Sequence, residues 1–254
     1  MKAVDVRSVS RANDASIIAL SDLAAVADRI GLRHRVLGSQ MVALHVALAG
    51  VTGQVPNRAT ADADAGIART TVTADQLDEF VTELEALGYR QVAGDRLYRE
   101  DDEAAIDVLL PAYRTRPRTN VRLGPVTATE AGGLTYALGQ APETVAAAAT
   151  LSDGKQLPSF VVHLPSIDGA LAVKAHAWAH RGAARDALDI WRPLHAADRR
   201  GVRPDHWRHS RTLERAAEIL RADFRLATST GTVAATEAAR DRALVASLSM
   251  RVVG

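Results

Sequence analysis

The stretch RATADADAG, residues 58–66, decides how the chain is read. It sets two carboxylates, Asp62 and Asp64, one residue apart on a background of alanine and glycine. The alternation in ADADAGIA at 61–68 predicts a strand, and in a strand side chains i and i+2 project to the same side. Asp62 and Asp64 would then present their charges together. Two such charges repel, so one takes up a proton or a cation sits between them. A hard divalent cation takes oxygen ligands of this kind. A solvent-facing edge strand with both acids on its wet side would satisfy the same pattern.

Working outward, RHRVLGS at 33–39 predicts a strand entering a turn. Gly38 permits the turn, and Ser39 is expected to N-cap a helix running to Gly50. The free N–H groups of such a helix start suit phosphate. Upstream, residues 15–30 have helical spacing and stop at Gly31. Downstream, TADQLDEFVTELEALG at 73–88 predicts a helix capped by Thr73, with Leu77, Phe80, Val81, Leu84 and Leu87 on one face. YRQVAG and RLYRE read as a hairpin around Gly94. AAIDVLLP at 104–111 reads as a buried strand ended by Pro111. Its Asp107 is costly to bury unless a charge or metal compensates it; an outward-facing position on an edge strand is the alternative.

From 126 to 158 the signal is weak; APETVAAAATL suggests a short helix, and PSFVVHLP at 158–165 a further strand. Four helical segments follow. The expectation is an α+β chain: a mixed β-sheet core with packed helices over 1–165, then a C-terminal helical bundle over 166–254.

The chain has 254 residues, 47 % of them hydrophobic, and no cysteine, which excludes disulfides and thiolate metal sites. No signal-peptide h-region is seen, and no apolar run approaches the roughly 18 residues of a membrane span. The chain is therefore expected to be soluble and cytoplasmic, without a membrane partner. A net charge of +1 gives no global argument for nucleic acid. Locally, YRTRPRTNVR at 113–122 carries Arg114, Arg116, Arg118 and Arg122 without an acid. A second basic run at 198–211 holds Arg203, Arg208 and Trp207, with His195, His206 and His209 nearby. Both read as solvated surface or as contacts to a phosphate backbone. Lysine occurs only at 2, 155 and 174, so Lys174 in mid-helix suggests a site wanting a compact ammonium.

The order of Gly-Ser turn, helix, DxD strand, helix, hairpin and third acid resembles the nucleotidyltransferase fold of polymerase-beta-like enzymes. Within it, R-x-T-x-D-x-D of the AbiEii/MenT-type toxins is similar to Arg58, Thr60, Asp62 and Asp64. A second signature of that branch, K-x-x-A-x-x-x-R-x-x-x-[RK]-D-x-x-D, resembles KAHAWAHRGAARDALDI, with Lys174, Ala177, Arg181, Arg185, Asp186 and Asp189 in register. The resemblance spans about residues 33–195.

It implies Mg²⁺ (or Mn²⁺) held by Asp62, Asp64 and Asp107. It also implies a nucleoside triphosphate gripped by Gly38, Ser39, Arg58, Thr60 and Lys174. Asp107 would orient or deprotonate the acceptor, with Asp186 as support or as base. Arg114, Arg116, Arg118, Arg203 and Arg208 would face nucleic acid. The acceptor implied is a tRNA 3′ end, and a cognate antitoxin is implied as a partner. Asp186 and Asp189 also fit helix-surface pairing with Arg185 and Arg192. A small-molecule (antibiotic-type) nucleotidyltransferase and a non-catalytic binding protein of the same fold fit these residues as well.

Overall fold

The computed structural model describes residues 1–254 except 57 and 115. A sheet of seven strands forms its centre, in the order β2-β3-β6-β5-β4, with β8 joined to β6 and β7 to β8. β2 (His34–Leu37) runs antiparallel to β3 (Asp62–Ile67), and β3 runs parallel to β6 (Ala104–Pro111). The hairpin β4 (Arg90–Ala93) and β5 (Arg96–Arg99) continues antiparallel from β6. β7 (Val121–Leu123) and β8 (Val126–Ala131) complete it, β8 parallel to β6. This is the α+β arrangement expected, with mixed parallel and antiparallel pairing.

The first three helices form where the pattern predicts them. α1 (Arg11–Arg29) is capped by Ser10, whose hydroxyl accepts from the Asn13 amide. α2 (Gly38–Leu48) is apolar on nearly every side and buried accordingly. α3 (Ala74–Ala86) opens on a capping box between Thr73 and Gln76, each accepting from the other's backbone amide.

Three expectations need correction. α2 starts at Gly38 with Leu37 as its cap residue, so Ser39 lies inside the first turn and caps nothing. The alanine-rich 143–150 segment is β9 (Glu143–Thr150), not a helix. It lies between β1 (Lys2–Arg7) and β10 (Gln156–Leu164), and pairing on both sides outweighs the helical preference of alanine. The last predicted helix is two: α8 (Thr230–Ala235) and α9 (Ala239–Val253).

β8 leads through Gly133 into α4 (Leu134–Gly139), and Gly133 (φ +79°) is where the sheet meets α5 (Ile167–Arg181). A Cβ there would lie 2.9 Å from the Val173 amide nitrogen. Only glycine admits that approach, and it brings Lys174 over the sheet. α6 (Ala184–Arg199) and α7 (Arg211–Phe224) pack on α5, and α2 also touches α6. One continuous set of buried side chains extends from Ile17 to Val253. Among the described residues no helix is long and apolar enough to cross a membrane.

Candidate active site

Register does most of the assembly. Asp64 stands opposite Leu37 on one side and Asp107 on the other, and Asp107 stands opposite Arg96. Asp62, Asp64, Asp107 and Arg96 therefore meet on one face across three neighbouring strands. That face forms the floor of a 310 Å³ cavity that Gly38, Ser39, Arg58 and Lys174 also line. Asp107 is not an outward edge residue: β6 is central, and its acid points into this cavity.

Gly38 closes one side. Its φ of +64° is left-handed, and a Cβ would stand 1.6 Å from Asp64 Oδ2. The turn is pressed against the carboxylate, which is why no side chain fits. Gly38→Ala is expected to lose about 1–2 kcal/mol from backbone strain and to push the Asp64 carboxylate aside. Urea unfolding and metal titration of the variant would check both effects.

The acids are held by distinct partners. Thr60 Oγ1 donates to Asp62 Oδ1 at 2.6 Å. Arg96 donates to Asp107 through Nε (2.8 Å) and Nη2 (2.7 Å), and the same Nη2 reaches Asp62 Oδ2 at 2.9 Å. Burial foremost, then the charges of Asp62 and Asp107, push the Asp64 carboxyl up to about 7. Burial also raises Asp107 despite Arg96, while the hydrogen bond to Asp107 raises Arg96 above the usual guanidinium range.

The opposite wall comes from the helices. Lys174 Nζ donates to Asp189 Oδ2 at 2.7 Å, and Arg58 Nη1 reaches the same oxygen at 2.7 Å. Ser39 Oγ donates to it at 3.2 Å and accepts from Arg58 Nη1. Burial alone would raise the Asp189 carboxyl, but Lys174 and Arg58 outweigh it and hold it below its ordinary value. Arg181 grips Asp186 through Nε (2.9 Å) and Nη2 (2.7 Å). Asp186 and Asp189 are only 3 % and 1 % exposed, so pairing on a helix surface is not their role. Their partners are Arg181, Lys174 and Arg58, while Arg192 stands 3.8 Å from Asp189 and is itself buried.

All the residues expected to grip metal or nucleotide thus come together, save that Thr60 acts through Asp62. The arginines expected to face nucleic acid do not join them. Arg114, Arg116, Arg118, Arg203 and Arg208 are exposed and none lines the cavity. Arg118 is committed to Glu130, accepted at 2.7 Å, and Arg203 and Arg208 pair with Asp198 and Asp205. Trp207 belongs to the core, its indole N–H donating to the Val252 carbonyl at 2.8 Å. Sequence reading missed Arg96, Asp95 and Glu130, which line the cavity. Arg96 could have been found by setting the hairpin against 104–107 in register.

The donor set on the floor is oxygen only, the chemistry a hard divalent cation takes. Among the described residues no three His, Asp or Glu side chains are gathered closely enough to hold a metal in this arrangement. A positive charge nevertheless already lies between Asp62 and Asp107, namely the Arg96 guanidinium. The donor chemistry suits a cation, and in this arrangement the cation between Asp62 and Asp107 is Arg96.

Fold and cavity define an α+β protein with a cleft whose floor is acidic and whose opposite wall is rich in cations. No protein family and no curated protein matches the chain. Among solved structures it is similar to an antigenic nucleotidyltransferase-like protein from Paracoccidioides brasiliensis. The two are 17 % identical over 83 % of this chain and 87 % of that one, with a TM-score of 0.43. At that level the likeness says nothing of substrate.

Proposed function

We propose that the chain is a metal-dependent nucleotidyltransferase, moving a nucleoside monophosphate from a nucleoside triphosphate to an acceptor hydroxyl. The observation that carries the reading is the cavity itself: Asp62, Asp64 and Asp107 on one face, Lys174 and Arg58 opposite, and the Gly38–Ser39 turn between. Asp62, Asp64 and Asp107 would hold Mg²⁺ or Mn²⁺, which when bound supplies charge neutralisation at the phosphates.

The chain's own groups do the rest. Ser39 and the α2 amides bind the outer phosphates, and Lys174 and Arg58, fixed by Asp189, orient them. The acceptor oxygen attacks the α-phosphorus in line. A bond forms to that oxygen, the α–β phosphoanhydride bond breaks, and pyrophosphate leaves with its electron pair. Asp107 takes the acceptor's proton on a carboxylate oxygen. Asp186 positions Arg181 at the cavity wall, a supporting role.

The acceptor in this reading is the 3′ end of a tRNA, and the protein is the toxin of a toxin–antitoxin pair of the AbiEii/MenT type. The exposed Arg114, Arg116, Arg203 and Arg208 suit a phosphate backbone outside the cavity.

Incubation with Mg²⁺, each labelled nucleoside triphosphate and total tRNA, beside Asp64→Ala, tests this. Label is expected on tRNA with the native chain and not with the variant. Label on a small molecule would replace the acceptor assignment. Absence of transfer and of pyrophosphate with every nucleotide would sink the catalytic reading.

A further inference from the structure

We propose that Arg96 is a built-in cation that occupies the place of the divalent ion between Asp62 and Asp107 and must be displaced before that ion binds. The inference rests on the reading of those carboxylates as metal ligands and concerns what controls their loading.

The pairing is dictated by the backbone. Arg96 is the cross-strand partner of Asp107 in the β5–β6 register, and cross-strand neighbours of opposite charge meet without special rotamers. Both oxygens of Asp107 accept from Arg96, and its Nη2 also reaches Asp62 on the next strand but one. A single guanidinium thus spans β5, β6 and β3 and neutralises two of the three acids. Guanidinium stays charged at every relevant pH, so the position is not cleared by loss of the arginine's own charge. While the carboxylates are ionised, an entering cation must compete with it.

Displacement is feasible because the Arg96 side chain is 43 % exposed, unlike Lys174 at 8 %. Its strand begins just after the Gly94 turn, at the tip of the hairpin. The displaced guanidinium has water and the same cavity open to it. Asp64, the third acid, takes no hydrogen bond from Arg96, so an entering ion meets one carboxylate outside the arginine's grip. The consequence is that two of the three acids are compensated without metal, and the metal affinity is lower than three carboxylates alone would give.

The test is Mn²⁺ binding by electron paramagnetic resonance, without nucleotide, to the full chain and to Arg96→Met and Arg96→Gln. Competition predicts that both variants bind Mn²⁺ about tenfold more tightly than the native chain, the equivalent of losing one ion-pair competitor. Thermal unfolding adds a second readout. Without metal the variants melt below the native chain, and Mn²⁺ raises their melting temperature by more than it raises the native one. Equal or weaker Mn²⁺ binding by folded variants overturns the proposal while leaving the metal site in place. If neither the native chain nor the variants bind Mn²⁺, the metal reading of Asp62, Asp64 and Asp107 falls, and this proposal with it.

Discussion

Asp64→Asn is expected to lower nucleotidyl transfer by a thousandfold or more, on the order expected for removing one carboxylate from the proposed metal site, while making the metal-free protein more stable. The two effects have one cause. The Asp64 carboxyl is pushed up to about 7, by burial first and by Asp62 and Asp107 next. In the unfolded chain the same group ionises near pH 4. An acid whose folded value is the higher one opposes folding once ionised. The penalty therefore begins near pH 4, grows as pH rises, and is complete above about pH 7. Asparagine removes it, so the variant should gain on the order of 1–2 kcal/mol at pH 8 and nothing at pH 4. Urea unfolding at both pH values checks the sign. Saturating Mg²⁺ should reverse the ranking, because only the native chain gains from the ion. A variant less stable at pH 8 would show that Asp64 is compensated by its surroundings rather than held in reserve for a cation.

Asp189→Ala should have the largest effect on folding, a loss of about 3–5 kcal/mol, the usual result of removing one partner from a buried ion pair. Asp189 accepts from Lys174, Arg58 and Ser39 at a single oxygen and is 1 % exposed. Truncation would leave the Lys174 ammonium buried without that acceptor and Arg192 without its nearest acid. The pH dependence has the opposite sign from that of Asp64. With its folded value below the ordinary one, Asp189 stabilises above pH 4, and that contribution is lost as pH falls through the lower folded value. The gap between native and variant midpoints should hold from pH 5 to 8 and narrow towards pH 3. In a cycle with Lys174→Met, the double variant should be less destabilised than the two single losses added together.

Much of this arrangement is legible before any coordinates. Helical spacing, with a glycine stop or a Thr cap, places α1 and α3, and it also marks the segments that hold α5 and α6. Alternation places β3, a hairpin signal β5, and short apolar runs β6 and β10. The DxD pair, Asp107, the Gly38–Ser39 turn and Lys174 all reach the cavity that their types and order suggest. Elements without side-chain contrast are the ones that escape. β8, VTATEA, alternates in burial, yet its residues are too small and too polar to advertise the pattern. β9 is a run of alanines whose conformation is set by pairing with β10, just after it, and with β1, distant in sequence. Arg96 escapes for a related reason: its partner Asp107 becomes a neighbour only once the hairpin folds against β6. Asp189 lies inside a recognisable signature, but its binding of Ser39 crosses 150 residues and no local pattern encodes it.

That last contact has a bearing on biosynthesis. A ribosome delivers the acids of β3 and β6 long before α5 and α6, so the emerging polypeptide carries its negative cluster before Lys174 and Asp189 exist to face it. Domains form as their residues emerge, but this cleft lacks its cationic wall until the helical segment follows. The two walls of the cleft can therefore meet only after α6 has been synthesised.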